Sequence, residues 1–201
     1  MALLLTTGGL AEAGDFDTGL VAFKQGDHAT ALRMWKPLAE RGDRAAQYNL
    51  GLLQESGKGL PPDRKAALAW YEKSAAQGFP MALHNLGRLY YMGDGVTEDY
   101  AKAIKHFVPA AEQGVAFSHF FLGMIYAGGG GGVQADHIQS YKRLSLAAAL
   151  HTSEEFRRDA LSSRKILAKG MSSDKIAVAE RLAQVWLAAF KKRTLLNTEK
   201  F

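Results

Sequence analysis

The 201-residue chain contains no cysteine. A disulfide framework, a thiolate metal site and a cysteine nucleophile are therefore excluded, while the redox compartment stays open. No stretch approaches the roughly 18 apolar residues of a membrane-spanning helix. Six histidines are scattered, and none forms H-x-x-x-H or stands at ligand spacing from a carboxylate, so no metal site is expected. His84 and His119 alone are placed to meet on adjacent helices. The glycine run at 128–132 lacks the G-K-S/T that completes a phosphate loop, and reads as a flexible insertion. Ser162–Lys165 and Ser172–Lys175 satisfy S-x-x-K, but the S-D-N and K-T-G elements of that hydrolase chemistry are missing. These serines read instead as helix caps. Glu154 and Glu155 are consecutive, diverge around a helix and make a poor acid–base couple. No catalytic residue and no cofactor is expected.

What is present is repetition. Gly51, Gly87 and Gly123 are spaced by 36 residues, and so are Gly42, Gly78 and Gly114. Asp27, Asp63 and Asp99 keep that step, as do Ala31, Ala67 and Ala103, and the aromatic series Trp35, Tyr71 and Phe107. Self-similarity at a fixed period of this length is the signature of a solenoid. Within each period the apolar residues have helical spacing: Ala46, Leu50 and Leu53, then Ala82, Leu86 and Leu89, then Ser118, Leu122 and Ile125. Each acidic residue is suited to cap the following helix, and each glycine at 42, 78 and 114 to stop one. After the glycine run the register slips by one, so Val133, Asp136 and Ala148 lie 37 residues beyond Val96, Asp99 and Ala111.

Glycines in the middle of a helix cost about 1 kcal/mol each against alanine. Three at one repeat position predict a close approach between paired helices, with the small residues Ala31, Ala67 and Ala103 opposite.

The two ends differ from the middle. Residues 1–14 open with Leu3, Leu4 and Leu5 and carry a small-x-small site at Ala11, Glu12 and Ala13, but no basic residue precedes the apolar run. This reads as a truncated leader, giving a periplasmic or secreted location; an accidental apolar lead-in would leave the chain cytoplasmic. Residues 152–201 leave the repeat. Two helices are predicted there, the second with Ile176, Ala179, Leu182, Trp186 and Ala189 on its buried face, closing the hydrophobic end of the stack. Residues 151–201 hold eleven Lys or Arg against six Asp or Glu, which accounts for the whole net charge of +5. Without interleaved aromatics this basic tail reads as a solubilising cap; nucleic acid and anionic lipid are disfavoured as partners.

Ala82, Leu86, Gly87, Tyr90, Gly93, Gly95, Val96, Asp99, Ala103, Phe107, Ala110, Ala111 and Gly114 together resemble the Sel-one-like repeat (SLR) family, the glycine-looped relative of the tetratricopeptide repeat. Residues 44–78 match nearly as well, with Gln54 for the tyrosine and Leu60 for the valine; residues 115–151 are a degenerate copy with Leu144 at the aromatic position. The units are then 15–43, a short tetratricopeptide-like pair lacking four loop residues, 44–78, 79–114, 115–151, and a C-terminal helical cap at 152–201. The resemblance implies an all-α fold: an α-solenoid of stacked antiparallel helix pairs, a tetratricopeptide-like superhelix. It also implies non-enzymatic scaffold or adaptor roles, often in bacterial envelopes.

In such stacks the first helix of each pair lines the concave side. There the chain places Tyr48, Leu52 and Glu55, then His84, Arg88 and Tyr91, then Phe120, Met124 and Ala127. A helix facing water should be polar on that side. The expected partner-binding residues are therefore Tyr48, Leu52, His84, Arg88, Tyr91, Phe120 and Met124, forming a groove for a protein or peptide. The alternatives are packing of the same residues against neighbouring repeats, an exported regulator of an envelope sensor or assembly system, and, least favoured, a serine-dependent hydrolase.

Overall fold

A computed structural model describes residues 8–59 and 61–198. Residues 1–7, with most of the expected leader, and Leu60 lie outside the described residues. Among those described the fold is all-α, with ten helices. They are α1 (Gly8–Lys24), α2 (His28–Glu40), α3 (Arg44–Ser56), α4 (Arg64–Ala76), α5 (Pro80–Met92), α6 (Tyr100–Glu112), α7 (Ala116–Gly128), α8 (His137–Leu150), α9 (Glu154–Ala168) and α10 (Ser173–Thr198). The small-x-small tripeptide at 11–13 lies inside α1. The chain divides into two compact units, Met1–Leu83 and His84–Phe201.

The acidic residues do two jobs at each inter-helix turn. Asp27, Asp63, Asp99 and Asp136 accept the amide N–H of Thr30, Ala66, Lys102 and Gln139 at 3.0, 2.9, 2.8 and 2.9 Å. Each thus satisfies one of the donors that a helix start leaves open. Their own backbone N–H groups donate back to the preceding helix, to Ala22, Gln54, Tyr90 and Tyr126 carbonyls at 2.9, 2.8, 2.9 and 2.8 Å. One residue type therefore starts the second helix and clamps the loop. The glycine run is also folded rather than loose. Gly129 to Gly132 all have positive φ, Gly130 bridges Val133, and the loop lies on the Tyr100 ring.

The mid-helix glycines answer to large side chains, not to the alanines expected. A Cβ at Gly51 would come within 2.5 Å of the Tyr71 ring, one at Gly87 within 2.5 Å of Phe107, and one at Gly123 within 2.8 Å of Leu144. Gly19 serves Trp35 in the same way, 32 residues before Gly51 because the first loop is shorter by four. The glycine supplies a flat notch, and the second helix fills it with its largest side chain. Trp35, Tyr71, Phe107 and Leu144 are all 1% exposed or less. Ala31, Ala67 and Ala103 are buried as well, but the notches do not face them.

In the first unit Trp35 packs with Phe16, Leu20 and Phe23 of α1 and donates its indole N–H to the Phe16 carbonyl at 3.1 Å. Gln47 and Gln77 bridge the pairs: Gln47 donates to Ala39, and Gln77 to Gly42 and to the Gln47 amide oxygen, at 2.9–3.0 Å. In the second unit α10 closes the stack. Its Trp186 donates to the Glu112 carboxylate at 2.6 Å, stacks on Phe190 and meets the His119 ring edge-on. Phe190 fills the space over Gly114, whose φ of +91° is left-handed. The buried face of α10 therefore runs through Ala179, Ala183, Trp186 and Phe190. Leu182 and Ala189, expected on that face, point to solvent, because the helix is seated by its two aromatic side chains.

Candidate functional site

The seven residues expected to line a groove fall in both units. Tyr48 and Leu52 belong to the first unit, and both are half-buried. The Tyr48 ring lies 5.9 Å from Tyr71 and 5.2 Å from Phe79, so it joins the helix packing there. Glu55, one turn on, accepts the Tyr71 hydroxyl at 2.7 Å.

The other five lie in the second unit on α5 and α7, which build one continuous aromatic strip. Tyr100 stacks on Tyr91, Tyr91 meets Phe121 edge-on at 5.1 Å, and Phe121 lies parallel to Phe107 at 5.2 Å. His84 sits among Phe107, Phe117 and Phe121, with ring centroids 5.6–6.0 Å away. Phe117 and Phe120 both reach Phe156 of α9, at 4.5 and 5.5 Å, and His151 completes the cluster. Three phenylalanines within five residues make this possible: Phe120 reaches α9, Phe121 reaches α5, and Phe117 touches both.

The strip is not uniformly accessible. His84 is 6% exposed, and its Nδ1 pairs with the Ser118 hydroxyl at 2.9 Å, which places it inside the unit rather than on the open face. Arg88, Tyr91 and Phe120 are half-buried. Met124 is 39% exposed and Phe117 41%. Phe117, Phe121 and Phe156 were not among the expected residues. Phe117 and Phe121 stand where the earlier repeats have Met81 and Asn85, so repeat register alone gives them no special standing. The density of phenylalanine in 116–121 was the available signal.

Burial sets the electrostatics. It pulls His84 down to about 4, helped by the Arg88 charge, so the ring is neutral at physiological pH. His119 is drawn down to about 3 by burial and by Arg143 and Lys142. It faces Arg143 and Trp186 rather than His84, so the two imidazoles are not a pair. Burial also raises the Tyr91 hydroxyl, with Tyr100 and Glu98 adding to it.

Chemistry elsewhere is sparse. Ser172 starts α10 by accepting the backbone N–H of Lys175, so that S-x-x-K pair is a cap, and Ser162 is exposed on α9. Among the described residues no group of three or more His, Asp or Glu is placed to hold a metal ion. No described helix is long and apolar enough to cross a membrane. An open cleft of about 690 Å³ lies beside Tyr126, Val133, His137 and Lys175, but its Asp136 is committed to capping α8. Part of the basic tail is committed too: Arg164 donates to Ser145 and lies over the Tyr141 ring, and Arg193 covers Phe190.

The Sel1 repeat family matches residues 44–79, 80–115 and 116–151. A Sel1 repeat protein from Oxalobacter formigenes is 26% identical, with a TM-score of 0.69 over 90% of this chain and 73% of that one. A protective antigen present in uropathogenic Escherichia coli strains, displaying an SLR fold, is 24% identical, with a TM-score of 0.57 over 94% of this chain and 48% of that one. The chain thus spans about half the length of that antigen. No curated protein matches the chain. The Sel1 repeat fold generally mediates protein–protein interaction, and its scaffolds are typically non-catalytic. With helix pairs built on an aspartate clamp and a glycine notch, and three successive repeats recognised over residues 44–151, the chain belongs to the Sel1 repeat family and has its α-solenoid fold, closed by C-terminal helices.

Proposed function

We propose that the chain is a non-catalytic binding module whose working surface is the face of α5 and α7 that carries Arg88, Tyr91, Phe120 and Met124, with Phe117 beside them. The observation that carries this reading is the exposure of Phe117 and Met124 beside a half-buried aromatic strip. Apolar side chains on an interlocked base lose little freedom on binding, which is what interface anchors require. Arg88 adds to the strip a residue type enriched at interfaces. The partner is a protein segment presenting one or two large apolar side chains.

The test is capture of co-purifying protein from the native extract by the full chain and by a Phe117→Ser/Met124→Asp variant. Loss of two anchors worth about 2 kcal/mol each lowers recovery by well over tenfold. Phe117 also packs against His84, His151 and Phe156, so the urea midpoint should fall, and recovery is compared where both proteins remain folded by circular dichroism. Equal recovery by a folded variant places the working surface elsewhere.

A further inference from the structure

The outer face of α10 is apolar where the end of a repeat stack should be polar. Val178, Leu182 and Val185 are 47, 37 and 62% exposed, and Leu196 is 50% exposed. With the exposed Ala189 and Lys192 they run 178, 182, 185, 189, 192, 196, the alternation of four and three that marks a two-helix seam. A separate face of the same helix, roughly 110° around its axis, is already used, through Ala179, Ala183, Trp186 and Phe190.

The charges at the ends of this stripe say what fits it. Asp174 stands at its start and Lys192 near its end, 18 residues apart. Eighteen residues are five whole turns, so the two side chains share one angular position on the helix. Both are exposed, and neither pairs with a charged group among the described residues. Laid antiparallel on a copy of itself, the helix brings each Asp174 to the other copy's Lys192 and the 178–189 part of each apolar stripe to the other, with Leu196 beyond the overlap. A two-fold arrangement makes both ion pairs at once. Laid parallel, it sets Asp174 on Asp174 and Lys192 on Lys192. We propose that the outer face of α10 is the interface of a two-fold homodimer, with the two α10 helices antiparallel. An interface of one helix per copy belongs to the small, weak class below roughly 1,200 Å², so association is to be sought at micromolar and higher concentrations.

Sedimentation velocity on the full chain at about 1 to 100 μM tests this, as mass action requires the dimer fraction to rise over that range. The wild type should shift from a 21.8 kDa monomer toward twice that mass. Val185→Glu should remain monomeric throughout while keeping its helical circular dichroism, since the position is solvent-facing. Asp174→Lys should weaken association by roughly tenfold at low salt, and Asp174→Lys/Lys192→Asp should recover it. A wild type that stays monomeric at 100 μM overturns the proposal and leaves the stripe to another occupant. So does a Val185→Glu chain that associates like its parent, or a charge swap no better than the single reversal, which would also rule out the antiparallel register.

Discussion

Phe107→Ala is expected to destabilise the protein by about 3–5 kcal/mol, read as a fall in the urea unfolding midpoint at an unchanged slope. Phe107 is fully buried, lies parallel to Phe121, touches His84 and fills the notch at Gly87. Removing the ring opens a cavity at the junction of α5, α6 and α7, the elements that carry the aromatic strip. Gly87→Ala should destabilise by about 1–3 kcal/mol for the opposite reason, because its methyl would stand 2.5 Å from the ring. The gain in helix propensity, about 1 kcal/mol, does not offset that overlap. The double variant decides whether the two residues form one unit. In a Phe107→Ala background the added methyl enters vacated space, so Gly87→Ala should become neutral or stabilising. Additive losses would show that the glycine is not there for the ring.

Lowering the pH from 7.5 to 5 should remove about 4 kcal/mol of stability, about 2 from each of His84 and His119. Both are held neutral in the fold, at about 4 and about 3, chiefly by burial. In the unfolded chain each titrates near 6.5, so the unfolded state binds more protons as the pH falls. Their contribution is therefore complete above about pH 6.5 and is lost on acidification toward the folded values. The capping carboxylates Asp27 and Asp99, held low mainly by backbone N–H donation, act in the same direction, but only below the ordinary carboxylate range. Urea unfolding at the two pH values checks this. His84→Gln and His119→Gln, though less stable at pH 7.5, should each lose about 2 kcal/mol less on acidification than the parent. A pH response unchanged by both substitutions would place its origin elsewhere.

Much of the fold could be read before the structure, because its strongest constraints are local. A capping aspartate must precede its helix, a stop glycine must follow one, and both recur visibly at the repeat spacing. Contacts between helices were less legible. The mid-helix glycines announced a close approach, but spacing along one helix does not name the residue opposite, and rings rather than alanines proved to fill the notches. Gly19 escaped notice because the shorter first loop moved it out of phase. The face of α10 was misjudged at Leu182 and Ala189, since a helix with apolar residues on two sides has two self-consistent faces. Only the positions of Glu112 and Gly114 choose the one that seats Trp186 and Phe190. Of the expected site residues, His84 looked like part of an open surface because its burial depends on Phe117 and Phe121, which vary from the repeat pattern.

The working surface is tested most directly by a photo-crosslinking amino acid placed at Met124 in the full chain, expressed in its native cell. The matched control is the same group at Lys105, exposed on the second helix of the preceding pair. The α5–α7 surface predicts a discrete crosslinked protein from position 124, absent from position 105 and lost when Phe117 is also changed to serine. Crosslinking that is equal from both positions, or confined to 105, would contradict it.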